Sequence, residues 1–250
     1  VAARYGFDGS GIGVVVIDSG FPTGNKDYKA VYSENFVAAE KDGKDKFGHG
    51  SHVAGIIGGS GKNSKGAYRG VAPGVNLLNF RVLDSEGKGS DSNVIAAIER
   101  AVELKSEYNI RVINLSIGRP VMESYLDDPL CKAVEAAWKS GIVVVAAAGN
   151  YGRLNNAGNN GYATITSPGN SPFAITVGSV KTNGTVNRAD DTLASYSSKG
   201  PTLIDQIVKS VRWEQTMQSL VAKGEARFVE LAPGRVLTGL LKKINRRLPV

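Results

Sequence analysis

Five short, largely apolar and β-branched runs, at 14–17, 77–82, 112–115, 143–147 and 174–177, punctuate the first 180 residues and read as buried strands. Between them, segments 92–104 and 129–140 carry apolar residues at helical spacing. Strand, helix and strand in succession imply right-handed crossovers, and hence an α/β fold with a parallel sheet and helices on both faces. In such sheets functional groups collect beyond the carboxyl ends of the strands. Asp18 follows the first run directly, and Asn150 lies just past the fourth.

The 250 residues suffice for one α/β domain with a substantial core. Much of the glycine, 31 residues in all, falls between apolar runs, as short loops require. A single cysteine, Cys131, excludes a disulfide within the chain and sits on the apolar side of a predicted helix, where it reads as a small core residue. No apolar run approaches the roughly 20 residues of a membrane span. The net charge of +7 is concentrated in residues 209–250, where nine Lys or Arg stand against three Glu. Those charges flank amphipathic segments and read as solvated helix faces, so neither nucleic acid nor membrane is expected as a partner. Two glycine-rich stretches are set aside as nucleotide motifs. Gly58-Gly59-Ser60-Gly61-Lys62 lacks the first glycine and the Ser/Thr of a phosphate loop, and residues 48–55 follow no strand with a ribose-binding acid downstream.

The chemistry-bearing residues fall in three blocks. Val14-Val15-Val16-Ile17-Asp18-Ser19-Gly20 ends an apolar run on an acid and a turn. Gly48-His49-Gly50-Ser51-His52-Val53-Ala54-Gly55 opens a helix of small residues that can pack closely around an imidazole. Ala146-Ala147-Ala148-Gly149-Asn150 ends a strand on a side-chain amide. An acid, a base and an oxyanion donor are what serine-dependent peptide hydrolysis needs besides its nucleophile. In this order the blocks resemble the aspartate, histidine and oxyanion-hole blocks of the subtilisin-like serine proteases. The resemblance runs from about residue 1 to about residue 209, and includes Ser167-Pro168-Gly169-Asn170-Ser171-Pro172 and Ala194-Ser195-Tyr196-Ser197-Ser198-Lys199-Gly200-Pro201.

By that resemblance Asp18 holds the imidazole tautomer, His49 is the general base and Asn150 donates to the oxyanion; His52 is structural. Ser116, Ile117 and Gly118 resemble the strand end that pairs with extended substrate, and Gly87 and Gly89 the opposite edge, so a polypeptide would bind as an added β-strand. Many relatives hold structural calcium, but the acidic loops 42–45 and 84–91 lack an EF-hand spacing, so no metal ligands are assigned and no other cofactor is expected. The resemblance implies a monomer from a mostly secreted family with intracellular members, which leaves the compartment open.

The family pattern breaks after Gly200-Pro201-Thr202. No Gly-Thr-Ser-Met-Ala block follows, and Ser219, flanked by Met217, Leu220 and Val221, reads as an interior helix position rather than a nucleophile. Residues 204–250, including Gln206 and the Ala232-Pro233-Gly234 turn, are instead similar to the C-terminus of malonyl-CoA:acyl carrier protein transacylase, read as helix, strand and helix. The organisation expected is therefore an incomplete peptidase domain at 1–209 and a different tail at 210–250. A gene fusion or sequence-assembly error is the preferred origin, with a divergent tail as the alternative. The expected function is a serine-type endopeptidase by family, inactive as written; the alternatives are a peptide-binding pseudoenzyme and, less favoured, an acyl-carrier-binding protein.

Overall fold

All six residues of the first strand, β1 (Gly13–Asp18), are buried. Successive side chains of a strand point to opposite faces, so such a strand needs cover on both sides. The computed structural model, which describes residues 5–38, 42–154 and 160–200, supplies that cover. After β1 come β2 (Ala30–Asn35), α1 (His49–Gly58), β3 (Asn76–Arg81), α2 (Asp91–Glu103), β4 (Ile110–Leu115), α3 (Pro129–Lys139), β5 (Val143–Ala147) and β6 (Ala174–Val177). A small antiparallel pair, β7 (Val180–Lys181) and β8 (Thr192–Leu193), follows.

The main sheet has the order β2-β3-β1-β4-β5-β6 with every neighbouring pair parallel. Val15 and Ile17 face one core cluster with residues of α2 and α3, whereas Val14 and Val16 face a second cluster with Ala54 of α1. Burying each such aliphatic side chain is worth about 1.5–3 kcal/mol, which is why β1 tolerates no polar residue before Asp18. The expected α/β architecture is therefore the observed one, and its five predicted strands and two predicted helices are present to within two residues. The edge strand β2 was not anticipated, because Tyr32, Ser33 and Glu34 give it no apolar run and it is only partly buried.

Strand order decides where a site can form. From β1 the chain moves to β2 and β3 on one side, then returns to β4 on the other. Connections thus diverge around β1, and the crevice at its carboxyl end is where such folds bind ligands. Asp18 is the last residue of that strand. The readings placed on 201–250, including Gln206, Ser219, the boundary at 209 and the helix–strand–helix tail, lie outside the described residues.

Candidate active site

Asp18 is fully buried, and its carboxylate oxygens lie 2.8 and 2.9 Å from His49 Nδ1. The Ser19 amide donates to the same carboxylate at 2.7 Å. An ionised carboxylate only accepts, so Nδ1 carries the imidazole proton and Nε2 is the basic nitrogen of the neutral ring. The hydrogen bond from His49 to Asp18 raises its pKa above the ordinary value, against burial, which lowers it; the charges of Asp18 and Asp45 add to the rise. The His49 side chain remains 42% exposed, so one face of the pair is open to a reactant.

His49 is the first residue of α1, and its placement depends on close backbone approach. A Cβ on Gly50 would lie 2.2 Å from the Gly20 carbonyl oxygen, and one on Gly20, which has φ +96°, would lie 2.4 Å from the Gly43 carbonyl. The helix gets no cap from the residue before it, Gly48, which has no side chain with which to cap it. Its free amides are satisfied from outside: Gly50 N–H donates to Ser19 Oγ at 2.9 Å, and Ser51 N–H to Asp45 Oδ2 at 2.8 Å.

Around His49 lies a cavity of about 410 Å³ lined on one side by Gly87 and Gly89 and on the other by Ser116, Ile117 and Gly118. The structure thus brings five sequence-selected groove residues and His49 to one space, with Asp18 behind the imidazole. Asn150 is three residues past β5, exposed, and outside the lining of that cavity. Its loop is fixed by the Ser198 amide donating to the Gly149 carbonyl at 2.9 Å and the Tyr151 amide to Ser198 Oγ at 3.0 Å. His52 is exposed, and Cys131 is a buried residue of α3 whose thiol burial pushes up to about 12.

Several residues around Asp18, His49 and the cavity belong to no motif in the sequence. Arg119, just past the groove residues, pairs with Asp91 at 2.6 Å and with buried Asp128 at 3.0 Å, and its backbone bridges Ser167 in both directions. Buried Asn79 bonds the backbone of Phe21 and Gly43, and buried Arg81 donates to the carbonyls of Leu83 and Asp42. These two side chains hold the segment beginning at Asp42. A polar residue interrupting an apolar strand run was the one available clue.

The acidic residues of the loops 42–45 and 84–91 have protein partners. Asp45 and Asp84 spend their carboxylates on nearby amides and hydroxyls, and Asp91 pairs with Arg119. Among the described residues no group of three or more His, Cys, Asp or Glu is placed to hold a metal, nor is any helix long and apolar enough to cross a membrane.

Residues 9–242 match the subtilase family, a range that extends past position 209. Serine protease AprX of Bacillus subtilis (strain 168) is 37% identical over 201 residues, covering 78% of this chain and 44% of the relative. Subtilisin DY of Bacillus licheniformis is 38% identical over 198 residues, covering 79% and 64%. The chain therefore spans less than two thirds of either relative. A solved structure of a cold-adapted subtilisin-like serine proteinase superposes with a TM-score of 0.60 at 32% identity, covering 78% of this chain and 62% of the other.

Proposed function

Because this chain belongs to the subtilase family of serine proteases, we propose that Asp18 and His49 are the acid and base of a subtilisin-type peptidase site. The observation that carries this reading is the contact of one imidazole nitrogen with both oxygens of a buried carboxylate, at the mouth of a cavity. His49 Nε2 would take the proton of an attacking hydroxyl, and Asp18 would stabilise the imidazolium that results. Asn150 would donate its side-chain amide to the oxyanion. Ser116, Ile117 and Gly118, with Gly87 and Gly89 opposite, would receive a polypeptide in extended form through main-chain bonds.

The 250 residues contain no Gly-Thr-Ser-Met-Ala block, so on this reading the chain as written has little or no activity. Losing one triad member leaves residual catalysis of about 10³–10⁴ over water, and only with the groove and oxyanion donors intact. Residues 1–209 form the peptidase portion on this reading, and 210–250 a tail of different origin. Peptide binding without cleavage is the second reading, favoured by the two-sided cavity beside His49. Incubation with a serine-directed fluorophosphonate, alongside a peptide binding and hydrolysis assay, separates the readings. Neither labelling nor hydrolysis is expected; saturable peptide binding without turnover would favour the second reading, and stoichiometric labelling of a serine would refute the absence of a nucleophile. Long-read sequencing across codons 195–220 tests the tail: reads that run on into a serine block would make it an assembly artefact.

A further inference from the structure

The mechanism above leaves one carboxylate near His49 unused. Asp45 Oδ1 accepts from Ser19 Oγ at 2.9 Å, from the Phe47 amide at 3.0 Å and from the Gly48 amide at 2.7 Å. Its Oδ2 accepts from the Ser51 amide at 2.8 Å and from Ser51 Oγ at 2.6 Å. These five donors come from both sides of the acid–base pair. Ser19 is the residue after Asp18, and Gly48 and Ser51 bracket His49 in the first turn of α1. Ser19 Oγ passes the link on by accepting from the Gly50 amide at 2.9 Å. No bond runs from Asp45 to the imidazole itself.

We propose that Asp45 is a positioning residue that clamps the carboxyl end of β1 to the first turn of α1 and thereby sets the Asp18–His49 contact. Two physical reasons support this. Gly48 leaves α1 without a side-chain cap of its own, so an external acceptor must fix its first turn, and a carboxylate there is also favoured by the helix dipole. Further, hydrogen bonds to a charged acceptor are the stronger kind, and a carboxylate accepting several amides and hydroxyls is a rigid hub. Burial pushes the Asp45 carboxyl up, but the bonds from Ser51, Gly48 and Ser19 outweigh it and hold the group below the ordinary carboxylate range. The hub therefore stays charged wherever His49 titrates.

The inference rests on reading Asp18 and His49 as an acid–base pair, and the test separates the two. In a His52→Gln background His49 is the sole histidine, so its titration and the exchange of its Nδ1 proton are followed directly by NMR in the full chain. Lys88, Asp91 and Arg119, which line the same cavity, stay unchanged in every variant. Asp18→Asn should lower the His49 pKa most. Asp45→Ala should lower it by less and speed Nδ1 proton exchange by about tenfold, as local opening of the contact requires. Ser51→Ala, a milder change that keeps the amide donor, should move both readouts the same way by less, and serves if Asp45→Ala fails to fold. Asp27→Ala is the structural control. It removes bonds from Ser60 and Asn63, just past the carboxyl end of α1, and should leave both readouts at wild-type values.

If Asp18→Asn leaves His49 unmoved, the pair reading itself fails. If Asp18→Asn moves it but Asp45→Ala and Ser51→Ala do not, the positioning role fails alone. A lowered His49 pKa in Asp45→Asn and Asp45→Ala alike, with Nδ1 exchange unchanged, would make Asp45 a mere nearby charge and overturn the proposal.

Discussion

Strands β1 and β6 are both written in small and β-branched apolar residues, yet β1 is buried throughout while β6 leaves Ile175 53% and Val177 49% exposed. The difference lies in their neighbours. β1 has a strand on each side and helices on both faces; β6 ends the sheet as described, paired only with β5. The corner that β1 builds with α1 is correspondingly complete, with Asp18, Ser19 and Asp45 all hydrogen-bonded. Apolar composition thus predicts a strand, but position in the sheet decides how much of it is worth burying. The Asp18–His49 contact belongs to the side of the fold where that burial is finished.

The sharpest test of the comparison is one substitution made in both strands. Ile17→Ala in β1 should cost about 2–5 kcal/mol of unfolding free energy by urea titration, since the site is packed on every side. Ile175→Ala in β6 should change it by no more than about 0.5 kcal/mol and should reduce binding of a hydrophobic dye. Equal costs would mean that β6 is covered in solution, and the contrast would collapse.

Gly50→Ala probes the completed corner itself. Alanine in a helix ordinarily stabilises relative to glycine, but here, in the first turn of α1, its Cβ would meet the Gly20 carbonyl at 2.2 Å. The expected result is a loss of about 1–3 kcal/mol, with a fall in the His49 pKa as α1 is pushed from β1. A gain in stability would show that the two backbones can part freely.

The smallest effect is a dependence on pH. His49 has a folded pKa above its ordinary value of 6.5, so the stability it contributes is fully present below that value and is lost as pH rises through the folded pKa. Wild-type stability should therefore decline over that window, modestly, because the imidazole is 42% exposed. Asp18→Asn should flatten the decline; an unchanged slope would assign it to another group.

That Asp18, His49 and the cavity-lining residues 116–118 lie near one another was suggested by the sequence because each belongs to a short contiguous block. The parallel sheet was legible for a similar reason, since buried strands and amphipathic helices carry their periodicity in the chain. Asp45, Asn79, Arg81 and Arg119 were not, because each also needs a partner far away in sequence, whatever local bonds it makes. Asp45 meets Ser19 across 26 positions, and Asn79 meets Phe21 across 58. Ser19 and Asp45 look like ordinary turn residues until the fold sets β1 beside α1.

By itself, then, the sequence determined five of the six strands of the main sheet and the helices between them, the placing of an acid at a strand end and a histidine at a helix start, and the lack of a Gly-Thr-Ser-Met-Ala block. Apolar periodicity and local motifs are properties of neighbouring residues, and they survive without a third dimension. Tertiary structure alone decided that β1 sits where connections diverge, that Gly50 lies against Gly20, and that one carboxylate ties both halves of the pair together. Those facts depend on backbones meeting at distances of a few ångströms, which no local pattern encodes.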